Sequence, residues 1–343
     1  RARRWTVKAW KPADGLITSP ESSDEARAAI AAHAPALRSF SPTALEQLAQ
    51  CPYRFVLRTI LRLERREQPE AIETLGPLER GSLVHEAQFE LLSELRAAGE
   101  LPVRATSLDA ARDRLDATLD RVAARYRERL YPAIERVWND GIAAIRADLR
   151  EWLRRMSEDL EWTPSRFELS FGPVGRGAER DPSSVPDPVA LDVGLSLRGS
   201  IDLVETSASG TLRATDSKTG KAKVKPEAII AGGTSLQPIL YALVLEKLFP
   251  AQPVAGGRLY YCTTRGDFQS ITVPLDELAR DAARLLAETL TSHFDRGFFP
   301  AAPSEKACTY CDYRAVCGPN EERRARQKQP QPLAQLVRLR ESR

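Results

Sequence analysis

Several absences narrow the field before any motif is read. None of the apolar runs in the 343 residues approaches the roughly 20 positions that a bilayer span needs, and no secretory leader opens the chain. A cytosolic, cytoplasmic protein is the resulting expectation. There is no G-x-x-x-x-G-K-[ST], which excludes a P-loop motor from these residues, and there is no internal repeat. Excess charge is missing too. With 50 Lys and Arg against 47 Asp and Glu, the net charge is only +3, so any affinity for nucleic acid must come from a local patch. Histidines number three and cysteines five. In a cytosolic setting so few cysteines point to metal ligation before disulfides. The first residue is Arg1 rather than Met, which suggests a piece of a longer chain.

What is present reads as globular. The apolar fraction of 42% and the charged fraction of 28% are ordinary, and the length allows one large or two modest domains. Residues 1–36 read as a linker or tail. Arg38 to Arg66 reads as helix, opened by Ser41-Pro42-Thr43 with Glu46 shortly after, and broken at Cys51-Pro52. Gly76 to Gly99 is a second helix, and Leu108 to Glu161 a long charged one. Strand character follows at Phe167–Phe171, Leu191–Glu205 and Thr211–Lys218, with a Gly- and Pro-rich loop over Arg176–Pro188. Pro238–Phe249 and Leu275–Phe294 read as helices around a strand pair, Arg258–Cys262 and Gln269–Val273. From residue 321 to 343 the chain reads as a basic, disordered tail, with one short amphipathic stretch over Leu333–Leu339.

The strongest chemistry lies in Gly199-Ser200-Ile201-Asp202 and Asp216-Ser217-Lys218-Thr219-Gly220. Side chains alternate faces along a strand, so Asp216 and Lys218 point the same way, with Asp202 one hairpin away. Two carboxylates and an ammonium gathered in one volume suit phosphodiester hydrolysis. Carboxylates hold Mg²⁺ or Mn²⁺, and a lysine orients water or stabilises developing negative charge. Taken alone, D-x-K is equally what a solvated hairpin carries. His85, four residues after Gly81 on a helix, can complete the coordination of a transition-type ion. Gln237 and Tyr241 share a helix face and could bond a phosphate or a base edge. Lys218, Lys221, Lys223 and Lys225 form a basic run beside this site. Arg323, Arg324, Arg326 and Lys328 near the end read as a solvated tail that could touch DNA or a partner. Glu168 and Glu205 are further acidic candidates. Glu205 faces away from Asp202 if its strand is regular, and it is left out of the metal site.

Cys308-x-x-Cys311 and Cys317 lie close together, with Cys51 far upstream. Four thiolates suit a [4Fe–4S] cluster, or zinc as a Cys₄ site, and spacing does not separate the two. Cys262, in the strand-like Leu259-Tyr260-Tyr261-Cys262, reads as a core residue.

Taken in order, Cys51-Pro52-Tyr53-Arg54-Phe55, Gly81-x-x-x-His85, Gly199-x-Ile201-Asp202, Asp216-x-Lys218-Thr219-Gly220 and Gln237-x-x-x-Tyr241 resemble the RecB/AddB-like branch of the PD-(D/E)XK nucleases. The resemblance runs from Ser41 to Cys317. Ser217 departs from it, standing where the family commonly has an aromatic residue. The resemblance implies an α/β, restriction-endonuclease-like fold over 37–320: a central mixed sheet flanked by helices, with a large helical insertion at about 100–163. It implies metal ligation by His85, Asp202, Asp216 and the Ser217 carbonyl. Asp202, Asp216 and Lys218 would be catalytic, and Gln237, Tyr241 and Lys221 would bind substrate. An iron–sulfur clasp would join Cys51 to Cys308, Cys311 and Cys317. The activity implied is Mg²⁺-dependent hydrolysis of DNA, on single strands or unwound ends, beside a UvrD-like helicase in double-strand-break repair. A catalytically inactive DNA-binding scaffold and a stand-alone exonuclease are the alternatives.

Overall fold

The computed structural model describes residues 5–17, 23–64, 72–173 and 180–343. Its centre is a five-stranded mixed sheet. Strand β1 is Trp162–Phe171, followed by a small hairpin of β2 (Val189–Leu191) and β3 (Leu195–Leu197). Strands β4 (Gly199–Ser207), β5 (Leu212–Lys218), β6 (Val254–Tyr261) and β7 (Ser270–Pro274) complete it. The order is β1-β4-β5-β6-β7, parallel only between β5 and β6. That parallel pair requires a crossover, supplied by the apolar helix Gln237–Leu248.

The helices before the sheet are α1 (Asp24–Ala31), α2 (Pro42–Gln50), α3 (Pro52–Phe55), α4 (Pro77–Ala97), α5 (Leu108–Leu130) and α6 (Glu135–Glu158). The crossover is α7. After it come α8 (Glu277–Asp295), α9 (Arg314–Cys317), α10 (Glu321–Arg326) and α11 (Ala334–Glu341). Prolines at the first helical position start α2, α3 and α4, where the missing N–H costs nothing. The Arg38–Arg66 helix is interrupted at Cys51 as expected. It then ends in a π-helical turn, Val56–Ile60, with 65–66 outside the described residues. The single helix expected over Leu108–Glu161 is instead two. Pro132 cannot continue α5, and Tyr131 caps it at φ 47. The strand expected over Leu191–Glu205 is likewise split, by a turn at Gly194 with φ 81. Of the loop at Arg176–Pro188, residues 176–179 lie outside the described ones. Asp181 anchors the remainder by accepting from Arg96 at 2.6 Å and from the Phe167 N–H at 3.2 Å.

Both faces of the sheet are covered. Leu45 and Leu48 of α2, Ile239, Leu240 and Val244 of α7 and Leu286 and Leu290 of α8 pack on Val204, Leu212 and Ala214. On the other face α4, α5 and α6 bring Leu83, Leu91, Leu115, Leu149 and Trp152 against Phe167, Leu203 and Tyr260. A fully buried leucine contributes about 1.5–3 kcal/mol, so the helical insertion is part of the core and not an appendage.

One irregularity in this sheet matters for chemistry. Phe167 pairs with Leu203, and Leu169 with Ile201. The first pair packs with the insertion helices and the second with α2 and α7. Residues two apart ordinarily share a face, so both strands change faces at 168 and 202. Glu168 takes up the change with φ 47, a conformation that non-glycine residues rarely adopt.

The two ends differ most from expectation. Residues 321–343 are helical and packed, with Leu336 and Leu339 buried. Arg324 and Lys328 are buried as well. Both reach Asp14, at 2.7 and 2.8 Å, and Arg324 also bonds Glu321 at 2.6 Å. Trp10 donates to the Gln329 carbonyl at 2.9 Å and meets the edge of Phe298. The expected tail at 1–36 and the basic tail thus close on each other, and neither Arg324 nor Lys328 is placed to touch DNA. Composition hid this because a basic stretch looks solvated until its counter-ion, here some 310 positions away, is known. Among the described residues no helix is long and apolar enough to cross a membrane.

Two predictions follow from this packing. Asp14→Ala leaves two buried cations without their shared anion. It should lower unfolding free energy by about 3–5 kcal/mol, read from the urea midpoint at constant slope. The second concerns His293, which is 6% exposed and whose Nδ1 lies 2.5 Å from the Phe298 carbonyl. Burial holds its imidazole at about 4, against 6.5 when exposed. Its neutral form therefore stabilises the fold fully above pH 6.5, and that contribution is lost as pH falls toward 4, by roughly 3 kcal/mol. Urea titrations over this range should show a shallower acid loss in His293→Phe than in the wild type.

Candidate active site

Where β1 and β4 change faces, three donor groups meet. His85, in the third turn of α4, brings Nδ1 to 3.4 Å from Asp202 Oδ2. Glu168 lies opposite Asp202 in the strand pairing, and its Oε2 accepts from the Ser200 hydroxyl at 2.7 Å. One ligand atom from each of His85, Glu168 and Asp202 lies within 4.8 Å of the others, the one such group among the described residues. The same side chains and Ser217 wall a void of about 20 Å³, room for a single water or ion. The Ser217 N–H donates to Asp202 Oδ2 at 2.7 Å and fixes its rotamer.

Next to this group lies the lysine. Asp216 and Lys218 share a face of β5 as expected, with Nζ 2.6 Å from Asp216 Oδ2. That Asp216 oxygen is buried, and the ammonium holds it as a close ion pair. Lys218 also donates to Gln237 Oε1 at 2.8 Å.

The electrostatics follow from crowding. Burial, reinforced by Asp216, pushes the Asp202 carboxyl up to about 8. Burial and Asp202 raise Glu168 as well, against the bond from Ser200. Burial lowers His85 and keeps its imidazole neutral, the form that ligates metal. Burial opposes the charge on Lys218, but Asp216, Asp202 and Glu46 outweigh it and raise the ammonium. Carboxylates that repel one another around a neutral imidazole and an ion-sized void fit a divalent cation by the chemistry of the donor set.

The expected residues are therefore gathered, but their parts are redistributed. His85, Asp202, Asp216 and Lys218 converge. Glu168, noted in the sequence only as a further acid, completes the donor group, while Asp216 turns to the lysine. No periodicity could have revealed this, because regular alternation does not anticipate the change of face. Glu205, excluded by strand parity, does lie elsewhere. It is buried and accepts from Arg213 and Arg258, each at 3.0 Å. Gln237, expected at the substrate, lines the cleft and accepts from the Lys218 ammonium. Tyr241 is 5% exposed, stands edge-on to Phe171 and engages Gln237, so it lies too deep to reach DNA. Glu46, expected near the start of α2 as part of its cap, instead accepts from the Leu236 N–H at 3.0 Å and holds the start of α7. Burial pushes its carboxyl up to about 7.

A cleft of about 1070 Å³ opens beside Lys218, lined by Glu46, Arg80, Lys221, Lys223 and Lys225. Lys221 is thus part of the cleft wall. Cys51 is buried at the junction of α2 and α3. Burial raises its thiol, and the charge of Cys311 acts on it; Cys308, raised to about 11 by burial and Glu322, also senses Cys51 and Cys311. The segments carrying these thiols are stitched together. Ser304 N–H donates to the Gln50 carbonyl at 2.8 Å, and Arg340 bonds the carbonyls of Ala49, Gln50 and Ala302. Cys262 is fully buried within the insertion-side core, as expected.

No curated protein matches the chain. Residues 39–318, which hold every one of these site residues, match the PD-(D/E)XK nuclease superfamily, and the chain belongs to that superfamily.

Proposed function

We propose that the chain is a Mg²⁺- or Mn²⁺-dependent deoxyribonuclease that hydrolyses phosphodiester bonds in single-stranded or unwound DNA. The observation that carries this reading is the convergence of His85, Glu168 and Asp202 on an ion-sized void, with the Asp216–Lys218 pair beside it at the mouth of a basic cleft. A divalent ion held by these groups supplies charge relief on the phosphate and a more acidic water. His85, Glu168 and Asp202 would hold it, with the Asp216–Lys218 pair beside it. Tyr241 engages Gln237, Gln237 and Asp216 fix Lys218, and the remaining ammonium N–H is free to orient a water or meet developing negative charge. Lys221, Lys223 and Lys225 neutralise the backbone of the bound strand.

The cysteines form the second part of the proposal. Cys51, Cys308, Cys311 and Cys317 ligate a [4Fe–4S] cluster that clasps the two ends of the nuclease domain. The donor set fits, since thiols that resist ionising near one another are stabilised when a metal replaces their protons. A Cys₄ zinc site is the alternative, and the resemblance of the motifs favours iron–sulfur. These residues hold no motor motif, and strand separation would fall to a helicase subunit or domain. A UvrD-like helicase in double-strand-break processing suits the resemblance of the motifs.

Two experiments test this. Anaerobically purified protein should degrade labelled single-stranded DNA with Mg²⁺ and stop on chelation. Lys218→Ala and Glu168→Gln should each lose about 10²–10³-fold in rate with unchanged melting. Equal rates in wild type and Lys218→Ala would remove the lysine from the reaction. Separately, the protein should be brown and carry iron, with the visible absorbance lost in Cys311→Ser. Colourless protein with stoichiometric zinc would overturn the cluster.

A further inference from the structure

Arg80 precedes the Gly81-x-x-x-His85 motif in the first turn of α4, and its side chain is 14% exposed. Its Nη2 lies 2.5 Å from Asp148 Oδ2, and Asp148, on insertion helix α6, is nearly buried. The other oxygen of Asp148 accepts from the Thr264 N–H at 2.9 Å and the Thr264 hydroxyl at 2.7 Å. One carboxylate from the insertion thus fastens both Arg80 and the turn that leads to Arg265. Both arginines line the cleft. This corner is also tied to the catalytic strand. Thr263 donates to the Thr219 carbonyl at 3.1 Å, and a Cβ on Gly81 would meet Thr219 Oγ1 at 3.6 Å.

The guanidinium is not used up by this arrangement. Its five N–H groups form a planar fork, and Asp148 engages one end. Nε is buried with no acceptor in the protein. A buried donor without a partner costs about 1–3 kcal/mol. Nε is sealed from the cleft, so contact with a phosphate falls to the exposed part of the side chain, which Asp148 holds in one orientation where it lines the cleft.

We infer that Arg80 binds a backbone phosphate of the DNA strand next to the scissile bond, in an orientation set by Asp148. The helical insertion thereby supplies part of the substrate grip. This rests on the cleft being the DNA path.

The test is binding of fluorescein-labelled oligo(dT) in EDTA, followed by anisotropy across a sodium chloride series. Arg80→Gln should weaken binding about tenfold and lower the slope of log affinity against log salt by about 0.7, the loss of one phosphate contact. Arg80→Lys should keep the slope while losing affinity, because charge is retained and the fork is not. Arg80→Gln strands the buried Asp148 carboxylate, so Arg80→Gln/Asp148→Asn is measured alongside it, and the same reduced slope is expected. Wild-type slopes in both Gln-containing variants would overturn the inference while leaving the cleft as the DNA path. Absence of wild-type binding at every salt concentration would remove that path and the inference together.

Discussion

Three carboxylates, Glu168, Asp202 and Asp216, stand within reach of one another at the margin of the sheet, with one ammonium among them. In a low-dielectric setting such a group cannot stay fully ionised without more positive charge. The surroundings are organised around that constraint. Ser217 and Ser200 hold Asp202 and Glu168 by single hydrogen bonds, His85 stays neutral, and Lys218 is pinned from two sides. The arrangement is costly as it stands and a divalent cation would relieve it, which supports the proposed metal centre over a structural ion network.

The Glu205 cluster is the instructive contrast. It too is a buried carboxylate in the same strand, yet two arginines and the Thr215 hydroxyl satisfy it, and its carboxyl lies below the usual range because Arg258 and Arg213 outweigh burial. A satisfied acid of this kind ties β4, β5 and β6 together and needs no ion. Arg324, held by Asp14 and Glu321 and sealed from solvent, differs from Arg80, which has one carboxylate partner and lines the cleft.

Support for the site comes from distant parts of the chain. Helix α2 carries Glu46 to the start of α7 and ends at Cys51, so the cysteine region and the helix that positions Lys218 share one rigid element. Arg340, near the end of the chain, bonds the carbonyls just before Cys51. Segments outside the family match thereby brace the nuclease domain, with Asp14, Arg324 and Lys328 as their buried tie.

Much was legible in the residues alone. The order of helices and strands, the shared face of Asp216 and Lys218, the nearness of His85 and the core position of Cys262 all follow from period-2 and period-3.6 spacing and from motif order, which are local properties of the chain. What required the tertiary structure was non-local. Glu168 became a donor because two paired strands change faces together. Tyr241 became a support because α7 buries it. Arg324 and Lys328 left the surface because Asp14, near the other end, neutralises them. Spacing along a chain determines which side chains share a face. Only packing decides which faces meet, and with what charge.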